Sequence, residues 1–139
     1  MTLAEIIGII RETALAQPAV NQVIDNDVLR LNKLPDAKYG VFAFVQGQHR
    51  ETLDGLITYA FSFIYVDRLV EDGSNEIDVQ SVALRTLSNV IRSLEEQGLG
   101  PDSWNFTTFN QRFNDMCAGA FCNVELTTEV NYICVDEIE

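Results

Sequence analysis

The chain has 139 residues, enough for one domain that buries its own core without a disulfide or a structural metal. Its 47% hydrophobic and 22% charged residues are ordinary for a globular protein. The charge is not: 21 Asp and Glu stand against 9 Lys and Arg, a formal net charge of −12, which excludes a monomer that grips nucleic acid by neutralising phosphates.

Residues 2–16 predict an amphipathic helix. Thr2 and Glu5 have capping-box spacing, and Leu3, Ile6, Ile7, Ile10 and Leu15 form an apolar stripe. No basic region precedes this stripe, so a signal peptide is not expected. Pro18 ends the helix. Residues 19–39 mix turn residues (Asp25, Asn26, Asp27, Pro35, Asp36) with a short apolar piece from Val28 to Leu34. They predict an extended hook with room for one short strand.

Residues 40–49, GVFAFVQGQH, predict a strand, and 56–68 a stronger one. In the second, Ile57, Tyr59, Phe61, Phe63 and Tyr65 alternate with Leu56, Thr58, Ala60, Ser62, Ile64 and Val66. One face is large and aromatic, the other small or aliphatic. That places the strand centrally with both faces covered. The Gly-containing connector RETLDG predicts an antiparallel hairpin. The longest apolar-rich run, LITYAFSFIYV at 56–66, is too short for a membrane-spanning helix.

Next comes VDRLVEDGSNEIDVQS at 66–81, crowded with acids. An EF-hand loop would need Asp or Asn at positions 68, 70 and 72 ahead of Gly73. Arg68 and Val70 occupy the first two, so the pattern fails. The simpler reading is a strand-to-helix turn at Gly73, with Ser74 or Asn75 capping a helix at 75–97. Glu76 and Asp78 then favour the positive end of its dipole. Ile77, Leu84, Leu87, Val90, Ile91 and Leu94 form its apolar side, and Gly98 and Gly100-Pro101 stop it. WNFTTFNQRF at 104–113 predicts a third strand and AGAFCNVELTTEV at 118–130 a fourth. The tail NYICVDEIE at 131–139 suits a short edge strand before an acidic end.

This order reads as one α+β domain: a mainly antiparallel sheet of four strands or more, with two helices packed on it. Its parts are an N-terminal helix at 1–17, the hook at 19–39, the sheet and central helix at 40–130, and the acidic tail at 131–139.

Little in the chain points to catalysis. The sole histidine, His49, excludes a multi-His metal site, and near a hairpin end it is expected to be exposed and polar. Cys117, Cys122 and Cys134 form no C-x-x-C, and their odd count argues for a reducing compartment. They read as small core residues; Cys117 and Cys122 share a strand face only if the strand is bulged. GLGPDS at 98–103 is a helix stop, not a phosphate loop. The aromatic strand carries no Lys or Arg, so it packs a core and does not stack bases. No enzymatic activity, cofactor or metal is expected.

Three stretches carry a resemblance: LNKLPDAKYGVFAFVQGQH (31–49), FSFIYVDRLVEDGSNEIDVQSVALRTLSNVIRSL (61–94) and FNQRFNDMCAGAFCNVELT (109–127). They resemble neck or tail-completion proteins of tailed phages of gut Bacteroides-type bacteria, including crAss-like phages. The resemblance implies a tail-terminator-like fold and a virion structural protein. Such a protein is a subunit of a six-fold or twelve-fold ring at the head–tail junction, assembled in the host cytoplasm. Its partners would be further copies of itself and other neck, portal-adaptor or tail proteins. DNA would pass through the lumen as non-specific cargo, and no membrane is involved.

An acidic surface suits a conduit that must not hold the phosphate backbone. A ring also needs heterologous contacts, one patch on each side of the subunit. Asp67, Arg68, Glu71 and Asp72 are the candidates for a subunit boundary or a channel-facing site. The hook at 19–39 and the tail at 129–139 are candidate arms, since Val28, Leu29, Leu31, Leu34, Tyr132, Ile133 and Val135 belong to no amphipathic core element; the equal alternative is that they wrap their own domain. An acidic α+β enzyme or ligand-binding domain of unknown substrate is the alternative, and it predicts a deep pocket with convergent polar groups. A third reading is an accessory protein whose acidic face binds a basic partner.

Overall fold

The alternation at 56–68 builds the strand on which the other elements assemble. The structure, a computed structural model, describes residues 2–25, 40–53, 55–69, 74–101, 104–110 and 117–129. In chain order the elements are α1 (Leu3–Leu15), β1 (Gln22–Asp25), β2 (Val41–Gln46), β3 (Arg50–Glu51), β4 (Leu56–Arg68), α2 (Glu76–Glu96), β5 (Phe106–Asn110) and β6 (Cys117–Glu129). β4 is central, with β2 antiparallel on one side and β6 antiparallel on the other. β6 follows it from Leu56 opposite Glu129 to Arg68 opposite Cys117. The order across the sheet is β1-β2-β4-β6-β5, and β3 pairs with β4 beyond the end of β2.

The sheet is therefore six-stranded and mixed, though mostly antiparallel. The expected four strands are present, together with β1 and β3. β1 pairs parallel to β2, with Gln22 opposite Val41. It lies at the start of the predicted hook and ends on Asp25, which the sequence reads as a turn residue; the apolar piece at 28–34 and the tail at 131–139 lie outside the described residues.

The aromatic face of β4 meets both helices. Phe42, Phe44, Phe61, Phe63 and Tyr65 are buried with Ile6 and Ile10 of α1 and with Leu87, Val90, Ile91 and Leu94 of α2. Burying each large side chain stabilises by about 1.5–3 kcal/mol. The rings pack tilted or edge-on, Phe42 to Phe63 at 5.4 Å and Phe44 to Phe61 at 6.2 Å, as their quadrupoles favour. The inward stripe of α2 runs through Val79, Ala83, Thr86, Leu87, Val90, Ile91 and Leu94. Ile77 is out of phase with Val79 and is 70% exposed, a correction to the predicted stripe. Leu15 is likewise exposed, while Ile6, Ile10, Thr13 and Ala14 are the buried positions of α1.

The helix ends follow the sequence with one exception. Thr2 Oγ1 accepts from the Glu5 N–H at 3.2 Å. Leu99 N–H donates to the Leu94 carbonyl and Gly98 N–H to the Glu95 carbonyl, the pair of hydrogen bonds that closes a Schellman end. Asn75 stands at the N-cap of α2, but its side chain makes no capping bond. Its Nδ2 reaches instead toward the Arg68 carbonyl at 3.5 Å.

The opposite face of the sheet is divided. At one end Ile24, Val41, Ala43, Val66, Phe109 and Cys117 are buried together. At the other, polar and charged side chains pair across strands: Thr58 with Thr127 at 2.9 Å, Ser62 with Asn123 at 2.6 Å, and Arg50 with Glu125 at 2.9 Å. Cys117 and Cys122 are both buried but lie on opposite faces, because β6 keeps an unbroken register with β4.

His49 has a structural place, not the exposed one expected. β2 pairs with β4 as far as Gln46 opposite Phe61, and pairing resumes at Arg50 opposite Thr58. In the gap Gly47 N–H donates to the Ala60 carbonyl at 2.7 Å. The Ala60 N–H finds no strand carbonyl there, and His49 Nδ1 accepts it at 3.0 Å. That assignment puts the ring proton on Nε2, which donates to Gln46 Oε1 at 3.0 Å. The half-buried ring also packs edge-on to Tyr59 at 5.3 Å. His49→Ala removes the acceptor and is expected to lower stability by about 1–3 kcal/mol. Urea unfolding checks this against Gln48→Ala, an exposed neighbour expected to change by less than about 0.5 kcal/mol.

Candidate functional site

The predicted site begins where β4 ends. Tyr65 and Asp67 are two apart on an extended strand, so both point to the helix side. Asp67 Oδ1 accepts from the Arg68 N–H at 2.8 Å and from the Gly40 N–H at 3.3 Å. Tyr65 Oη donates to the Ala19 carbonyl at 3.0 Å, with Asp67 Oδ2 3.5 Å away. Burial, and after it the Asp67 charge, pushes the Tyr65 hydroxyl well above its ordinary range, so it stays a donor. The arrangement clamps three segments: the turn after α1, the start of β2 and the end of β4. Gly40 enters β2 at φ 49°, and a Cβ there would lie 2.2 Å from the Ala19 carbonyl oxygen.

Arg68 points to the other side of the sheet and is exposed. Asp67 and Arg68 therefore do not converge on one pocket. Glu71 and Asp72 lie outside the described residues. The first turn of α2 is fastened nearby to β5: Asn110 Nδ2 donates to Glu76 Oε1, and Gln80 Nε2 donates to the Phe109 carbonyl at 3.2 Å. This end of the molecule thus presents Arg68 and Ile77 on a braced framework.

Chemically the clamp binds its own backbone. The Asp67 carboxylate accepts hydrogen bonds from two amide N–H groups, and the Tyr65 hydroxyl donates to a carbonyl. The sequence alone does not mark Tyr65, Gly40 and Ala19 as a site. The usable signal was the Tyr-x-Asp spacing on a strand; Gly40 and Ala19 have none, because they meet Asp67 and Tyr65 only in the folded chain. Asp67→Ala leaves the Gly40 N–H without its acceptor and is expected to lower stability by about 1–3 kcal/mol. Tyr65→Phe, which removes one hydrogen bond, is expected to cost about 0.5–1.5 kcal/mol. Urea midpoints for the two variants check the order.

Burial pushes the Cys122 thiol from its ordinary 9.0 up to about 12. Tyr65 moves in the same direction. The folded form therefore keeps protons that the unfolded chain releases. This contribution is intact below pH 9 and is lost as pH rises toward 12. Stability is expected to fall across that window, and less steeply in Cys122→Ala, by urea titration at stepped pH.

Among the described residues no three His, Cys, Asp or Glu side chains gather to hold a metal ion, and no helix is long and apolar enough to cross a membrane. No protein-family model and no curated protein matches the chain.

Proposed function

We propose that this chain is a virion structural protein of a tailed phage. In this reading it is a tail-terminator-like, non-enzymatic subunit of a six-fold or twelve-fold ring at the head–tail junction, through which DNA passes. The observation that carries the reading is the use made of the F-x-Y-V-D-R motif at 63–68. Its polar residues serve architecture: Asp67 and Tyr65 fasten the chain at Gly40 and Ala19. The α+β sheet with both helices on one side is compatible with a tail-terminator-like subunit. The net charge of −12 suits a wall past which DNA slides.

Arg68 and Ile77, exposed at the braced end, meet the neighbouring copy, and Glu71 and Asp72 belong to the same boundary. Asp67 acts indirectly, by holding the end of β4. Copies of equal negative charge repel, so salt strengthens assembly until the repulsion is screened. Native mass spectrometry of the full chain over rising salt tests this. A closed oligomer of one defined copy number is expected. A chain that stays monomeric at every concentration and salt contradicts the reading.

A further inference from the structure

The charge on α2 runs against the rest of the chain. The sequence holds 21 acids and 9 basic residues, yet VQSVALRTLSNVIRSL at 79–94 has two arginines and no acid. Arg85 and Arg92 are both exposed. Seven residues of helix set them about 10 Å apart along the axis and about 20° apart around it, so they share one side. Arg92 Nε donates to Ser88 Oγ at 3.3 Å, which lays the side chain along the helix and keeps its terminal amino groups as donors. Arg11 and Arg50 are matched within the copy by Asp25 and Glu125. Arg85 has no such partner among the described residues.

The complementary pattern stands on α1. Glu5 and Glu12 are exposed and also seven residues apart, with the exposed Gly8 between them. Neither carboxylate pairs with another described side chain. A Cβ on Gly8 would meet nothing within 4 Å, so a second helix can approach this turn closely. Arg11, the one basic residue of α1, turns to Asp25 of β1 at 2.7 Å and leaves the acidic side unneutralised.

An exposed charge is ordinarily just solvated. Here two helices of one chain carry opposite charges at one spacing, and neither pair is spent within the copy. Two arginines in a chain of net charge −12 are too few to hold a phosphate backbone, which favours carboxylates over DNA as their mate. The direction of docking follows from the helix ends. Antiparallel helices set Glu95 and Glu96 beside the N-terminus of α1, where the dipole favours negative charge. They also bring the exposed Leu15 and Ile77 to the same end of the contact. A parallel pair would set Glu95 and Glu96 against the negative end of α1.

We propose that the outer side of α2 in one copy docks antiparallel on the outer side of α1 in a second copy, Arg85 against Glu12 and Arg92 against Glu5. Each guanidinium fork meets one carboxylate. The contact joins two different surfaces, so it is heterologous and can repeat around a cycle. Its charged pairs set partner and register, and they lie close enough to be screened less than the overall repulsion between copies. The proposal deepens the ring reading and rests on it for the second copy.

The test is charge reversal in the full chain, read by sedimentation. Arg85→Glu is expected to weaken self-association by at least about 10-fold, since it sets two carboxylates face to face. Glu12→Arg is expected to weaken it as much, although it makes the chain less negative. Glu51→Arg, an exposed position on β3 with the same change in charge, is expected to leave association equal or stronger. Circular dichroism and urea midpoints are expected to stay at the wild-type values in all three. The double variant Arg85→Glu with Glu12→Arg restores the pair with its signs exchanged and is expected to return to within about threefold of the wild type. Single reversals that leave a wild-type ring intact, or a double variant no better than the singles, overturn the helix contact and leave the ring reading standing. A labelled DNA duplex retained by the wild type at low salt and released by Arg85→Glu assigns the arginines to phosphate and also overturns it. A wild-type chain that is always monomeric overturns both readings.

Discussion

Gly119→Ala is expected to lower stability by roughly 3–5 kcal/mol. Gly119 lies in β6 opposite Val66 of β4 and Phe109 of β5. A Cβ there would sit 1.8 Å from the Tyr65 carbonyl oxygen and 2.9 Å from its carbon. Both atoms belong to the backbone of the central strand, so no rotamer change relieves the clash. The Phe109 ring closes the remaining side at 3.2 Å. Relief requires β4 and β6 to separate, which opens the buried cluster of Val41, Val66 and Cys117 beneath them. Gly8→Ala is the matched opposite. Gly8 is exposed in the middle of α1, and an added Cβ meets nothing within 4 Å. Helix propensity alone then decides, and a gain of about 0.5–1 kcal/mol is expected. Urea unfolding followed by circular dichroism reads both; a neutral Gly119→Ala contradicts the close approach of the strands.

Gly40→Ala is expected to lower stability by about 2–4 kcal/mol, more than Asp67→Ala at the same clamp. Two effects add. The φ of 49° is a conformation that L side chains rarely adopt. The added Cβ also drives into the Ala19 carbonyl oxygen at 2.2 Å, the acceptor of the Tyr65 hydroxyl. The turn after α1 must move, and the Asn21 N–H, which donates to the Gly40 carbonyl at 2.8 Å, moves with it. Hydrogen exchange at Asn21 should therefore quicken in Gly40→Ala and hold in Gly8→Ala. Equal exchange in both variants would show that the clamp does not hold this turn.

The long elements were legible because their periodicity is strong. β4 alternates over thirteen residues, and the buried positions of α2 recur every three or four. The short ones were not. β1 has four residues and β3 only two, and each exists because β2 or β4 offers it a ladder. Hydrophobicity alone points Ile77 inward, but its phase relative to Val79 turns it outward. His49 looked like a loop histidine, because the gap it fills between β2 and β3 appears only once both strands pair with β4. The acids at 66–81 showed the same limit. Their spacing excluded an EF-hand and correctly left a strand end and a helix start. Asp67 nevertheless had no visible partner, since Gly40 stands 27 residues away in the chain. The feature that resembled a cluster of free carboxylates is, at Asp67, a backbone clamp.

Symmetry-resolved imaging of the head–tail junction in purified phage particles tests the ring assembly most directly. Six or twelve copies of this six-stranded sheet, arranged around a central channel, are the expected result. Particles that contain no copy of the chain, or hold it away from the junction, would contradict it.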